Sequence, residues 1–165
     1  LFKQSLLENI RAAKPDATRE QVLKAAKAAQ CGDILAKLPQ GLDTVVGTNG
    51  IYLSGGESQR INLARAILKD APIVVLDEAT AFADPENEHQ IQKAFETLIQ
   101  GKTVLMIAHR LSTIQNANCI LVLKDGKIVE QGSHQQLLDS HGIYAEMWAD
   151  YLRSAKWKVG KELLA

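Results

Sequence analysis

Two stretches of this chain hold residue types suited to phosphate chemistry. The first, Leu53-Ser54-Gly55-Gly56-Glu57-Ser58-Gln59-Arg60, sets a hydroxyl beside two adjacent glycines. A Gly-Gly pair opening a helix leaves backbone N–H groups free and lets a phosphate approach closely, at the helix end whose dipole favours an anion. The second, Ile73-Val74-Val75-Leu76-Asp77-Glu78, is an apolar run ending in two acids. A buried strand delivering adjacent carboxylates to its C-terminal edge suits Mg2+ coordination by Asp77 and the handling of an attacking water by Glu78. His109 follows another apolar run, Thr103–Ala108, and could donate a hydrogen bond to a terminal phosphate as charge develops there. Each feature alone has a plainer reading: a cap or turn, two solvated acids, a structural histidine. Their succession along one chain favours nucleotide chemistry. No Gly-x-x-x-x-Gly-Lys-Ser/Thr phosphate loop occurs in the sequence.

The elements that must position these residues are legible from pattern. Residues 1–12 read as a short amphipathic piece interrupted by Pro15. Thr18 with Gln21 forms a capping-box pattern ahead of a helix running to about Ala29, with Val22, Ala25, Ala26 and Ala29 at helical spacing. A second short helix covers Asp33–Leu38 and stops at Pro39; residues 40–53 read as a Gly-rich loop. Ser54-Gly55-Gly56 then opens a long helix to about Lys69, ended ahead of Pro72. Ile73–Leu76 is too short for a buried helix and reads as a fully buried parallel strand. Asp84-Pro85 starts a helix with stripe Ile91, Ala94, Phe95, Leu98 and Ile99. After Gly101 come the Thr103–Ala108 strand, a short helix from Ser112, and strands Cys119–Leu123 and Lys127–Glu130 joined by an Asp125-Gly126 turn. Ser133 caps a helix to about Leu138. A last helix, about Ile143–Ser154, carries Tyr144, Met147, Trp148 and Tyr151 on one side, a stripe that reads first as packed core and second as a docking face.

This order predicts a helical part over residues 1–70, an α/β part over 71–154 with ligands at the carboxyl ends of parallel strands, and a frayed tail over 155–165. The chain has 165 residues, enough for one domain with its own core, and equal numbers, 19 each, of basic and acidic residues. That balance argues against nucleic-acid binding and against a polybasic membrane patch. The two cysteines, Cys31 and Cys119, are far apart and read as small buried hydrophobes in a reducing compartment rather than a disulfide. No apolar run approaches the roughly 20 residues that span a bilayer. Leu1 lies inside a patterned segment, as in a chain cut from something longer.

The segment Leu53–Arg60 resembles the signature motif of ATP-binding-cassette (ABC) ATPases. Ile73–Asp77 is similar to their Walker B strand, Glu78 to the catalytic glutamate, Ala81–Asp84 to the D-loop and His109 to the switch histidine. Lys124–His134 resembles the C-terminal hairpin and helix of these domains, and Leu1-Phe2, Ser5 and Glu8-Asn9-Ile10 the entry to the helical subdomain of exporter-type transporters. The resemblance covers about residues 1–150 in the family's order. It implies a P-loop NTPase-like α/β fold, with a partial parallel sheet and a helical signature subdomain. ATP and Mg2+ are the cofactors implied: Ser54, Gly55, Gly56, Gln59 and Asp84 bind nucleotide, Asp77 serves the metal, and Glu78 and His109 are catalytic. A second nucleotide-binding domain, identical or not, and a transmembrane domain fused upstream are the implied partners, at the cytoplasmic face of the inner membrane, with this segment itself soluble.

In family order the adenine-stacking loop, Walker A and Q-loop precede Leu1; Gln4 follows the Leu-Phe pair and is not the Q-loop glutamine. The resemblance thus gives this chain half of each of two sites. Ser54, Gly55 and Gly56 face the γ-phosphate of a partner's ATP, while Asp77, Glu78 and His109 serve an ATP held by the domain's own phosphate loop. The chain alone is expected to bind ATP poorly, hydrolyse none, and expose strand edges left without their shared neighbour. The D-loop variant Ala81-Phe82-Ala83-Asp84 suggests transporters that import iron–siderophore complexes, and Val45 stands where many exporters place a glutamate that contacts the membrane domain. Two other classes compete. A chromosome-maintenance or DNA-repair ATPase head shares signature and Walker B but reaches them through heptads absent here; a non-catalytic regulatory domain is disfavoured by Glu78 and His109.

Overall fold

The computed structural model describes residues 1–47, 51–77, 85–108 and 111–162, with side chains for all of these except 85–87 and 155–162. The chain is mixed α/β and divides into two compact units, Leu1–Met106 and Ile107–Ala165.

The first unit opens with β1 (Gln4–Ser5), antiparallel to β2 (Val45–Val46), Gln4 opposite Val46 and Ser5 opposite Val45. Helix α1 (Leu6–Arg11) starts at Ser5, whose hydroxyl accepts the Glu8 N–H. Asn9 is fully buried and laces the N-terminal loop to this helix: its side-chain oxygen accepts the Phe2 N–H at 2.9 Å, and its amide donates to the carbonyls of Phe2, Gln4 and Ser5 at 3.0, 3.2 and 3.1 Å. Gly47 is required beside this loop, because its φ is +91° and a Cβ there would lie 2.8 Å from the Phe2 carbonyl oxygen. Helix α2 (Arg19–Ala28) begins with the Thr18–Gln21 capping box that the sequence predicts. Helix α3 (Gly32–Lys37) ends ahead of Pro39, and Gly41–Asp43 forms a 3-10 turn inside the expected loop.

Helix α4 (Gly55–Lys69) is the axis of the unit and packs against α1, α2 and the later helix α5 (Pro85–Ile99). Leu6, Ile10, Val22, Ile34, Ile61, Ala64, Ile91 and Leu98 meet in this core, each at most 1% exposed. Helix α4 ends in a left-handed Asp70 whose carboxylate pairs with Lys102 at 2.9 Å. The N-cap role of Asp84 on α5 lies outside the described residues.

Strands β3 (Ile73–Asp77) and β4 (Thr103–Ile107) pair with each other. Val74 and Leu76 turn into the core at 8% and 9% exposure, whereas Ile73, Val75, Leu105 and Ile107 are 62%, 63%, 54% and 53% exposed. The expectation of a strand buried on both faces is therefore corrected. The apolar residues stand at both parities of the strand, but among the described residues of this unit only one face is packed.

In the second unit, β5 (Ile120–Lys124) and β6 (Lys127–Gly132) form an antiparallel hairpin with a bulge between Val122 and Leu123. Its turn residues Asp125 and Gly126 have φ of 51° and 73°, the pair of left-handed conformations a type I′ turn demands. Helix α6 (His134–Asp139) carries a Ser133–Gln136 capping box, and α7 runs from Ile143 to Glu162, through part of the segment expected as a tail. The Glu130 carboxylate caps α7 by accepting the Ile143 and Tyr144 N–H groups at 2.6 and 3.0 Å. Ile120, Val122, Leu137 and Tyr144 form this unit's core. Tyr144 is 1% exposed and its hydroxyl lies 2.7 Å from His134 Nδ1, with Trp148 against the same imidazole, so the first part of the aromatic stripe is core. Cys31 is buried and Cys119 exposed, both as free thiols; the expectation that both are buried holds for the first alone.

Candidate functional site

The Ser54–Gly56 corner is set by local chemistry. Ser54, in extended backbone with ψ of 166°, caps α4; its Oγ accepts the Glu57 N–H at 3.2 Å while the Glu57 carboxylate accepts the Ser54 N–H at 2.9 Å. This reciprocal box satisfies the N–H of Glu57, and the N–H of Ser58 bonds to the Ser54 carbonyl at 2.9 Å. Among the described residues, the N–H groups of Gly55 and Gly56 have no hydrogen-bond partner. Two adjacent donors at a helix start, beside a hydroxyl, make an anion-binding corner.

Gly55 is exposed, is not held in a left-handed conformation, and a Cβ added to it would meet nothing within 4 Å. Nothing in the fold demands glycine there, although glycine costs a helix up to about 1 kcal/mol against alanine. The open space is on the outside, where a ligand would come.

The corner is braced from behind. Arg60, one turn into α4 and 1% exposed, makes a two-pronged bond to Asp33 of α3 at 2.8 and 2.9 Å and donates to the Gln30 carbonyl. The guanidinium holds the Asp33 carboxyl below its usual range. Burial pushes the neighbouring Cys31 thiol up to about 12, only partly opposed by Arg60, so this sulfur stays protonated and unreactive. Lys37, the last residue of α3, pairs with Glu57 at 3.3 Å. Burial raises the Glu57 carboxyl, but the bond from the Ser54 N–H and the contact with Lys37 outweigh it and leave it lowered. Farther along α4, Arg65 donates to the Asn9 side-chain oxygen at 2.8 Å, and its guanidinium lies 5.5 Å from the Phe2 ring centre.

The remaining sequence-predicted residues are less fully placed. Asp77 ends β3 with an exposed carboxylate. Gln59 lies half-buried on α4. Glu78, Asp84 and His109 lie outside the described residues. Among the described residues no three His, Cys, Asp or Glu side chains converge as a metal cage, and no helix is long and apolar enough to cross a membrane. Sequence reasoning missed the bracing residues Asp33, Lys37 and Asn9. One signal was available: Asp33 and Lys37 stand four apart on α3 with signs opposite to Arg60 and Glu57, three apart on α4.

Residues 2–81 match the family model described as ABC transporter. The chain is 56% identical over 148 residues to an ATP-dependent lipid A-core flippase of Legionella pneumophila (strain Paris), covering 90% of this chain and 25% of that protein. It is 51% identical over 148 residues to the flippase of the same name from Acinetobacter baylyi, covering 89% and 26%. Among solved structures it resembles a bacterial Atm1-family ABC exporter with ATP bound, at a TM-score of 0.79 and 46% identity, over 91% of this chain and 26% of that one. The chain thus spans about a quarter of the length of these relatives. Their names give the iron–siderophore reading no support, and that reading is withdrawn.

Proposed function

We infer, from the premise that this chain is part of an exporter-type nucleotide-binding domain of the ABC transporter family, that it serves ATP-driven transport as one face of an ATP site shared between two such domains. The observation that supports this reading is the Ser54–Gly56 corner: two N–H donors without a partner among the described residues, a hydroxyl and a glycine the described fold does not require. A γ-phosphate approaching this corner would receive the Gly55 and Gly56 N–H groups, the Ser54 hydroxyl and the positive end of α4. Gln59, on the same helix, lies on the nucleotide side of this assignment. By the family resemblance, the nucleotide at this corner is one held by a second nucleotide-binding domain, while Asp77, Glu78 and His109 serve the one held by the domain's own phosphate loop.

Asp77 fits Mg2+ by its chemistry, because this ion takes one or two carboxylates and fills its other positions with water and phosphate oxygens. When bound, the ion would neutralise phosphate charge. Glu78 orients and deprotonates the attacking water, His109 donates to the terminal phosphate, and Asp84 belongs to the nucleotide-binding residues. The same reading places the domain on the cytoplasmic face of a membrane, joined to transmembrane helices, and makes this chain alone a poor ATP binder without hydrolysis. The cargo class that the relatives bring is lipid A-core; it rests on their names and the 56% identity, not on residues of this chain.

The test is Gly55→Asp in the intact protein that carries this chain. The open space around Gly55 lets the variant fold with an unchanged melting temperature. A carboxylate in the phosphate corner is expected to cut ATP turnover at least about a hundredfold, the scale of losing an oxyanion donor. Unchanged turnover would remove the corner from the reaction.

A further inference from the structure

Helices α3 and α4 are joined by two ion pairs in register. Asp33 meets Arg60, and four residues later on α3 Lys37 meets Glu57, three residues earlier on α4. The Asp33–Arg60 pair is an anchor by its burial: the Arg60 side chain is 1% exposed. The Lys37–Glu57 pair is different in kind, because the Glu57 carboxylate occupies the first turn of α4, next to the corner read above as phosphate-facing. One of its oxygens completes the capping box on the Ser54 N–H; the other faces the Lys37 ammonium at 3.3 Å. A carboxylate in a first turn stabilises the helix but repels an incoming phosphate. The helix start therefore carries a conflict between folding and binding, and Lys37 is the cation placed against it.

We propose that Lys37 is a positioning residue for ATP turnover: it holds the Glu57 carboxylate in the cap of α4 and cancels its charge where the phosphate approaches. This rests on the reading of Ser54–Gly56 as the phosphate-facing corner. Lys37 itself touches no phosphate in this assignment; it acts through Glu57. Its side chain is 69% exposed and that of Glu57 15%, so the lysine is the replaceable member and the carboxylate the fixed one. Three consequences separate this role from simple support of the fold. Loss of the lysine raises the ATP requirement more than it slows the saturated enzyme. Added salt screens the excess charge and shrinks the defect. Removing the carboxylate's charge as well rescues activity, because a glutamine side chain can still accept the Ser54 N–H.

The experiment compares wild type, Lys37→Ala, Lys37→Arg, Glu57→Gln and the double variant Lys37→Ala/Glu57→Gln in the intact protein, with ATPase rate measured against Mg-ATP at low and high salt. Lys37→Ala is expected to raise KM up to about fivefold at low salt, the ceiling for an exposed pair, with a smaller change in kcat. Lys37→Arg and Glu57→Gln stay near wild type, and the double variant returns to the Glu57→Gln value. A double variant as impaired as Lys37→Ala overturns the proposal, as does an unchanged KM in Lys37→Ala where Gly55→Asp abolishes turnover. A wild type whose turnover is untouched by Gly55→Asp overturns the corner assignment and this proposal with it.

Discussion

The start of α4 and the β3–β4 pair lie in one unit and are finished to different degrees. At the start of α4 the Glu57 N–H is capped, the Gly55 and Gly56 N–H groups have no partner among the described residues, and the helix is braced by a buried arginine and a second ion pair. At β3–β4 one face is packed on helices while Ile73, Val75, Leu105 and Ile107 stand in water. The first region draws its support from α3, whose Asp33 and Lys37 reach Arg60 and Glu57 across 27 and 20 positions of sequence. A strand pair needs layers on both faces, and among the described residues its own unit supplies only one. The phosphate-facing corner therefore holds its geometry by contacts within its own unit, whereas a strand that presents Asp77 gains half the burial its sequence can use.

The comparison breaks first at Arg60. Arg60→Leu removes the two-pronged bond to Asp33 and the bond to the Gln30 carbonyl, leaving a carboxylate and a carbonyl without their donor. Because Asp33 is half-exposed, the expected loss falls below that of a fully buried pair, at about 2–3 kcal/mol. Urea unfolding followed by circular dichroism reads it. A loss under about 0.5 kcal/mol, the range of an ordinary surface substitution, would show that α3 does not brace α4.

The strand pair is sharpened by substitution at opposite parities. Leu76→Ala, on the packed face, is expected to cost about 2 kcal/mol or slightly more. Val75→Thr, on the open face, is expected to change the stability of this chain by no more than about 0.5 kcal/mol. In an intact protein that covers this face, the same Val75→Thr costs more, so its effect in the two settings measures how much of the missing burial lies elsewhere. Here the sequence was silent for a physical reason. Ile73, Val74, Val75 and Leu76 are apolar at both parities, and such a run states what the strand can bury, not what a given chain supplies. By contrast, the helix start at Ser54, the Thr18–Gln21 box and the Asp125-Gly126 turn were legible, because each is decided within four residues. The Asp33–Arg60 pair spans 27 positions and needs α3 and α4 to be packed before it exists. The Ser54–Glu57 box itself was not read in the sequence, although the helix start that carries it was. Cys119 was misjudged because nothing local distinguishes it from Cys31.

A third probe uses acid. Arg60 holds the folded Asp33 carboxyl below its ordinary value, so the unfolded chain binds this proton first. The stabilisation is complete above the ordinary carboxylate range and is lost as pH falls through that range towards the lowered folded value. Asp33→Asn is expected to flatten this part of the acid limb of a urea-midpoint profile, leaving the contribution of other carboxylates. An unchanged acid limb would mean that the pair contributes nothing in solution, whatever its geometry.

The smallest effect gives the finest distinction. Thr18 and Ser54 cap α2 and α4 in the same manner, each with a reciprocal box to the residue three positions on. As caps they are equivalent, so Thr18→Ala and Ser54→Ala should each lower stability by about 1 kcal/mol. As chemistry they differ, because the residues after Thr18 are Arg19 and Glu20, whose side chains crowd the helix start, while Ser54 is followed by two glycines. Only Ser54→Ala should then slow ATP turnover in the intact protein, beyond anything its stability loss explains. Equal turnover in the two variants would mean that the Ser54 hydroxyl caps a helix and does nothing more, leaving the phosphate to the glycine N–H groups alone.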